Sequence, residues 1–262
     1  MARIYALANQ KGGVGKTTTA VSLSDALARR GFRVLLIDID PQANTTSSLG
    51  VDKHSLSASI YDSLLQEAAL DDIIRADVSF GLDLAPASPG LAGAEVELVA
   101  QIAREYRLRD ALASVRGRYD YILIDCPPSL GLLTVNALAA ADGVIIPVQC
   151  EYLPLEGLAM LTQTIDLVRR HLNPRLVVHG VVMTMYDGRT NLAQQVVAEV
   201  RQHFGDRLFN IIIPRSVRLS EAPSFGRTIF QYAPTSPGGI AYARLADELL
   251  DRDGVAQSAL AP

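Results

Sequence analysis

The sequence predicts an α/β fold of three layers, a doubly wound and mostly parallel sheet flanked by helices, on three observations. Short β-rich apolar runs alternate with longer stretches of helical period. VLLID and GVIIPV are continuously apolar, as strands covered on both faces must be, where a half-exposed sheet would alternate. Gly31 and Gly205 stand where the C-terminal caps of helices belong.

Taken in order, Ile4–Ala8, Val34–Asp38, Leu82–Ala85, Tyr121–Asp125, Val144–Val148, Val177–Met185 and Phe209–Ile213 read as strands. Thr17–Arg30, Glu95–Val115, Leu132–Ala140, Leu155–His171, Leu192–Phe204 and Ala241–Leu250 read as helices. No repeat, linker or break in composition divides the chain, so residues 1–262 are expected to form one domain, with 251–262 a frayed, Ala-rich tail. The first strand begins too early to leave room for a helix-turn-helix module before it.

With 49% hydrophobic and 20% charged residues, the 262-residue chain is no disordered segment and can bury one large core. Its best apolar stretch, Val135–Val148, is broken by Asp142 and falls short of the ~18 residues a membrane span needs. Two cysteines cannot build a disulfide framework and no leader-like segment opens the sequence, so a cytoplasmic protein is expected.

A net charge of −4 argues against a uniformly basic nucleic-acid binder but leaves room for a local patch. Residues 184–230 hold six arginines (Arg189, Arg201, Arg207, Arg215, Arg218 and Arg227) against four acids (Asp187, Glu199, Asp206 and Glu221). A solvated face and a DNA-facing patch both fit that excess. Lysine is rare: Lys11, Lys16 and Lys53 are the only three, against 21 arginines among the 24 basic residues.

The first strand runs through NQKGGVGKTTT into a helix, the strand, glycine-rich loop and helix order of a phosphate-binding loop. Gly12, Gly13, Val14 and Gly15 let successive backbone N–H groups turn toward phosphate oxygens, and the helix adds its positive N-terminal end. In such a loop Lys16 reaches the β- and γ-phosphates and the Thr17 hydroxyl ligates Mg²⁺. The strict G-x-x-x-x-G-K-[ST] pattern fails, because Gln10 stands where the first glycine belongs, and a second lysine, Lys11, follows it.

VLLIDID ends on Asp38 and Asp40, and YILID on Asp125, which brings three carboxylates to strand ends near the expected phosphates. Asp125 fits a Walker-B acid and Asp40 a group that orients the attacking water; Thr17, Asp40 and Asp125 form the candidate Mg²⁺ shell. An acid at a strand end can also cap the next helix, a role open above all to Asp38. No Asn/Thr-Lys-x-Asp motif is present for guanine, so ATP is expected over GTP. Cys126 follows Asp125 where fast motor ATPases carry a glutamate, so slow hydrolysis is expected.

KGGVGKTT, DIDPQAN, LIDCPPSLG, MYDGRTNL and IPRSVRLSEAPSFG together resemble the deviant Walker-A group and, within it, the ParA/Soj family of partitioning ATPases, from Ala6 to about Leu250. The resemblance implies that Lys11 reaches across a nucleotide-sandwich homodimer to the partner's ATP, and that Lys16, Thr17 and Thr18 contact phosphate. It implies a role in hydrolysis for Asp40, a switch opening at Asp125, and adenine packing at Pro214. Ser216 stands where the family usually has Asn. Arg189 and Arg218, with Arg215 a weaker candidate, match the family's DNA-contacting arginines. The implied cycle is ATP-driven dimerisation, binding to non-specific duplex DNA of the nucleoid, and release when a ParB-like protein stimulates hydrolysis.

Two rival readings share the loop. A MinD-like membrane switch needs a basic amphipathic C-terminal helix, and this tail offers only Arg252, so no membrane partner is expected. An iron–sulfur carrier needs cysteines that a dimer can gather around a cluster, and only Cys126 and Cys150 are available. A third class, a protein using ATP only to hold itself together, would not need both Asp40 and Asp125. His54, His171, His179 and His203 lack metal-ligand spacing.

Overall fold

A computed structural model describes residues 2–151 and 155–255. Its strands are β1 (Arg3–Leu7), β2 (Val34–Asp38), β3 (Arg75–Ser79), β4 (Leu82–Ala85), β5 (Tyr121–Asp125), β6 (Gly143–Gln149) and β7 (Val177–Thr184). They form one sheet in the order β3-β4-β2-β5-β1-β6-β7, in which only the β3–β4 pair is antiparallel.

The helices are α1 (Lys16–Ala28), α2 (Asn44–Ser48), α3 (Ile60–Leu64), α4 (Leu70–Ile73), α5 (Leu91–Glu97), α6 (Arg107–Leu112) and α7 (Leu132–Ala140). They continue with α8 (Leu155–His171), α9 (Asn191–Phe204), α10 (Val217–Glu221), α11 (Ile229–Tyr232) and α12 (Pro237–Arg252).

Successive side chains of a strand enter opposite layers. Ile4 and Ala6 join a core with residues of α3, α5, α6, α7, α8 and α9, while Tyr5 and Leu7 join a second core with α1 and α12. That is the three-layer arrangement read from the sequence. The four central strands β2, β5, β1 and β6 place their carboxyl ends along one rim, and the loops that follow them carry the site.

Three elements differ from expectation. Phe209–Ile213 forms no strand: isolated bridges join Val181 to Leu208 and Tyr186 to Pro214, and the Glu248 carboxylate on α12 takes the N–H groups of Asn210 and Ile211 at 2.8 and 2.9 Å. A side chain thus satisfies donors that a ladder would need. The expected helix over Glu95–Val115 breaks at Ala103, whose φ is 54°. Asn136 of α7 holds the segment after the break, donating to the Arg104 carbonyl at 2.8 Å and accepting from the Leu108 N–H at 3.1 Å. The antiparallel edge strand β3 was not expected, because RADVS has no apolar run to betray it.

The tail expected to fray from Asp251 is held as far as Val255. The Asp253 carboxylate accepts from Tyr5 at 2.5 Å and Tyr121 at 2.9 Å and pairs with Arg3 at 2.7 Å, a set of partners that outweighs the entropy of a short terminus. Residues 256–262 lie outside the described residues.

Candidate active site

The loop after β1 is shaped by its own side chains and by its neighbours. Asn9 donates to the Pro147 carbonyl at 2.7 Å and accepts from the Lys11 N–H at 3.0 Å, which pins the loop's start to the end of β6. Gly13 and Gly15 take positive φ of 73° and 85°, conformations that cost a side-chain-bearing residue. Thr184, at the end of β7, donates to the Val14 carbonyl at 2.8 Å. α1 starts at Lys16 with its first N–H groups facing into the loop, and no side chain caps it. An uncapped helix start within a glycine loop is an anion site in waiting.

Lys16 is only 7% exposed, and its ammonium donates to the Lys11 carbonyl at 3.3 Å. Burial lowers its pKa, opposed by the charges of Asp125, Cys126 and Asp40, so an incoming anion would restore what desolvation removes. Lys11, Gly12 and Gly13 are exposed at the loop's crest. Lys11 therefore stands where it can meet a ligand or a second molecule.

Thr17 donates to Asp125 Oδ2 at 2.7 Å, and Thr45 donates to the same oxygen at 2.7 Å. Asp125 Oδ1 is buried without a hydrogen-bond partner among the described residues. Burial pushes the Asp125 carboxyl up to about 6, partly offset by the two threonines. A fully buried carboxylate with one free oxygen beside a threonine hydroxyl fits a small hard cation, which takes one or two protein oxygens and completes its shell with phosphate and water. No group of three or more His, Cys, Asp or Glu placed to hold a metal ion exists among the described residues.

The two other strand-end acids separate by environment. Asp38 accepts from the N–H and hydroxyl of Thr46 at 2.8 and 2.7 Å and from the Asp40 N–H at 3.2 Å, so it ties down α2 and faces no open space. Burial, then the nearby charge of Asp125, pushes its carboxyl up to about 7. Among the described residues the Asp40 carboxylate accepts only the Gln42 N–H, at 2.9 Å, and Asp40 is 6% exposed. Thr45, Thr46 and Asn9 were missed as site residues in the sequence; the signal available was a hydroxyl-rich NTTSS directly after DIDPQA.

On the other side of the loop an open cleft is lined by Gly15, Thr18, Met185, Pro214, Ser216 and Tyr242, among others. Pro214 and Ser216 are thus brought to the phosphate loop although some 200 residues separate them in sequence. Arg215 continues the same segment, its N–H bonded to the Tyr186 carbonyl at 3.0 Å, which places it beside the loop carrying Arg189.

The arginines are exposed, and each is paired with an acid. Arg189 is 88% exposed in its side chain and makes a two-pronged contact with Asp187 at 2.9 and 2.6 Å, which holds the Asp187 carboxyl down at about 2. Arg218 meets Glu221 at 2.8 Å, and Arg215 pairs with Glu151. Such exposed pairs are weak and exchangeable for other anions. Cys126 and Cys150 are buried, and burial raises both thiols, Cys150 to about 12, so neither is presented for a cluster. No helix among the described residues is long and apolar enough to cross a membrane.

Comparison with known proteins agrees with this geometry. A family model described as an AAA domain matches residues 2–178. The chain is 55% identical to the sporulation initiation inhibitor protein Soj of Bacillus subtilis over 95% of this chain and 98% of that one. It is 53% identical to the chromosome partitioning protein ParA of Myxococcus xanthus, over 96% and 89%. It is 55% identical to the chromosome-partitioning ATPase Soj of Thermus thermophilus, over 95% and 96%.

Among solved structures, one described as cobyrinic acid a,c-diamide synthase from Mycobacterium smegmatis, with bound ATP analogue and magnesium, has a TM-score of 0.87 at 40% identity over 97% of this chain and 96% of that one. The septum site-determining protein MinD of Pyrococcus horikoshii, complexed with Mg-ADP, has a TM-score of 0.76 at 28% identity over 97% and 98%. With near-complete overlap at over half identity, and the glycine loop and strand-end acids in place, the chain belongs to the Soj/ParA family of chromosome-partitioning ATPases.

Proposed function

We propose that this protein is an ATP-dependent partitioning switch: ATP binding joins two copies in a sandwich dimer, the dimer binds duplex DNA of any sequence, and slow hydrolysis, stimulated by a ParB-like protein, releases it. The observation that carries the reading is the free, buried Oδ1 of Asp125 beside Thr17, at the mouth of a loop whose lysine is already desolvated. Magnesium ion and ATP are the ligands this arrangement accepts, and the neighbours solved with magnesium and ATP analogue or Mg-ADP support them.

In this reading Thr17 and Asp125 would hold Mg²⁺, with Asp40 sharing in its shell through water. The bound ion would neutralise charge shared by the β- and γ-phosphates. Lys16 and the N–H groups of Gly12, Gly13, Val14, Gly15, Lys16, Thr17 and Thr18 bind phosphate, Asp40 orients water, and Pro214 and Ser216 line the base. Lys11 reaches the nucleotide of a second copy from its exposed place on the crest. Arg189, Arg215 and Arg218 exchange their acidic partners for DNA phosphates, which carry no sequence information. The protein then acts in the cytoplasm, on the nucleoid.

The test is binding of an Asp40→Ala protein to random-sequence duplex DNA with ATP, with ADP and without nucleotide, across a salt series. Binding confined to ATP and weakening with salt is expected, because a dimer doubles the phosphate contacts. A dimer that forms with ATP yet binds no DNA in any state would reject the reading of the arginines.

A further inference from the structure

We propose that Lys53 is a positioning residue for hydrolysis, holding the Asp40 turn in its working shape from outside the nucleotide site. The inference rests on the role given above to Asp40. Lys53 is the one lysine outside the phosphate loop. Its ammonium donates to the Gln42 carbonyl at 2.6 Å.

That carbonyl shares a peptide group with the N–H of Ala43, which donates to the Asp40 carbonyl at 2.8 Å. The preceding peptide group supplies the Gln42 N–H, which donates to Asp40 Oδ1 at 2.9 Å. The peptides on either side of Gln42 therefore bond Asp40 twice, once at its main chain and once at its carboxylate. An ammonium on a peptide oxygen polarises the N–H of the same peptide, so the Lys53 contact strengthens the Ala43–Asp40 bond as it fixes the plane of the group.

The turn needs such a hold. Ala43 has φ of 52°, a left-handed conformation that a residue with a side chain keeps only when its surroundings enforce it. The Ala43 side chain is fully buried, which fixes the inner side of the turn, while Gln42 is exposed on the outer side. Lys53 restrains that outer side. If the peptide between Gln42 and Ala43 rotated, the Ala43 N–H would leave the Asp40 carbonyl, and the turn that holds the Gln42 N–H against Asp40 Oδ1, the one hydrogen bond its carboxylate accepts among the described residues, would open. The carboxylate would then lose the orientation that directs water.

The test is steady-state ATP hydrolysis with Mg²⁺ by the full chain carrying Lys53→Met, Lys53→Arg or, as reference, Asp40→Asn, with a thermal melt of each. Lys53→Met is expected to lower kcat about three- to tenfold while KM for ATP stays within about twofold and the melting temperature is unchanged. Lys53→Arg, which can reach the same carbonyl, is expected to restore at least about half of kcat. An unchanged kcat for Lys53→Met beside an inactive Asp40→Asn would overturn the inference. So would a fall in kcat accompanied by a lower melting temperature or a matching rise in KM, either of which marks a general structural role. Full activity of Asp40→Asn would instead reject the role of Asp40, and the part of Lys53 would fall with it.

Discussion

The backbones of Gly50 and Gly226 touch: a Cβ on Gly226 would lie 2.8 Å from the Gly50 Cα and 3.2 Å from its nitrogen. Gly50 follows α2, which Asp38 anchors, and Gly226 lies between Arg218 and Arg227. The contact thus joins the turn carrying Asp40 to the segment carrying the arginines, with no side chain to cushion it.

Replacing Gly226 by Ala should therefore cost about 2–4 kcal/mol, a left-handed penalty plus overpacking against fixed backbone. Gly31 provides the control, since its φ of 84° is equally left-handed but nothing lies within 4 Å of its missing Cβ. Gly31→Ala should cost only about 1–2 kcal/mol in the same urea titration. Equal costs would mean that the Gly50 contact is not tight.

Thr17→Ala should weaken binding of Mg-ATP about tenfold or more, with a much smaller effect on ATP in the presence of a chelator. In the proposed site the hydroxyl would complete the cation's oxygen set, and it orients Asp125 through its 2.7 Å hydrogen bond. Calorimetric titration with and without Mg²⁺ separates the two effects. Equal losses under both conditions would remove Thr17 from the metal shell.

Substituting Arg189 or Arg218 by Ala in the ATP state should weaken binding uniformly across DNA sequences. Each loss should also lower the slope of log affinity against log salt by about one. A substitution that alters sequence preference, or leaves the slope intact, would show that the residue touches no phosphate.

His179 stacks on Tyr5, with ring centroids 4.5 Å apart, and its Nε2 lies 3.5 Å from Asp253. Burial lowers its pKa below the usual 6.5, against the pull of Asp253, so the fold favours the neutral ring. Its contribution to stability is present above that pH and is lost as pH falls through the folded value. Asp38 and Asp125, with raised values, act in the opposite sense as pH rises from about 4 to about 7. A comparison that leaves both acids in place isolates the histidine: between about pH 7 and pH 5 the melting temperature of His179→Phe should fall less than that of the unsubstituted chain. Parallel falls would count against this role.

By itself the sequence determined the parallel α/β fold, the phosphate loop and the acids at Asp40 and Asp125, because each is local: an apolar run, a glycine spacing, a strand that stops at a carboxylate. Tertiary structure decided what depends on partners distant in sequence. Asn136 holds the segment that follows the break in one expected helix, Glu248 takes the donors of an expected strand, and Asp253 finds Tyr5 and Tyr121 where a frayed end was expected. The same holds within the site. Asp38 and Asp40 are two residues apart at one strand end, and only the position of Thr46 relative to Asp38 shows that one acid clamps α2 while the carboxylate of the other accepts a neighbouring N–H. Hydrogen-bond donors and acceptors are satisfied wherever the fold brings them together, so their roles cannot be assigned from chain order.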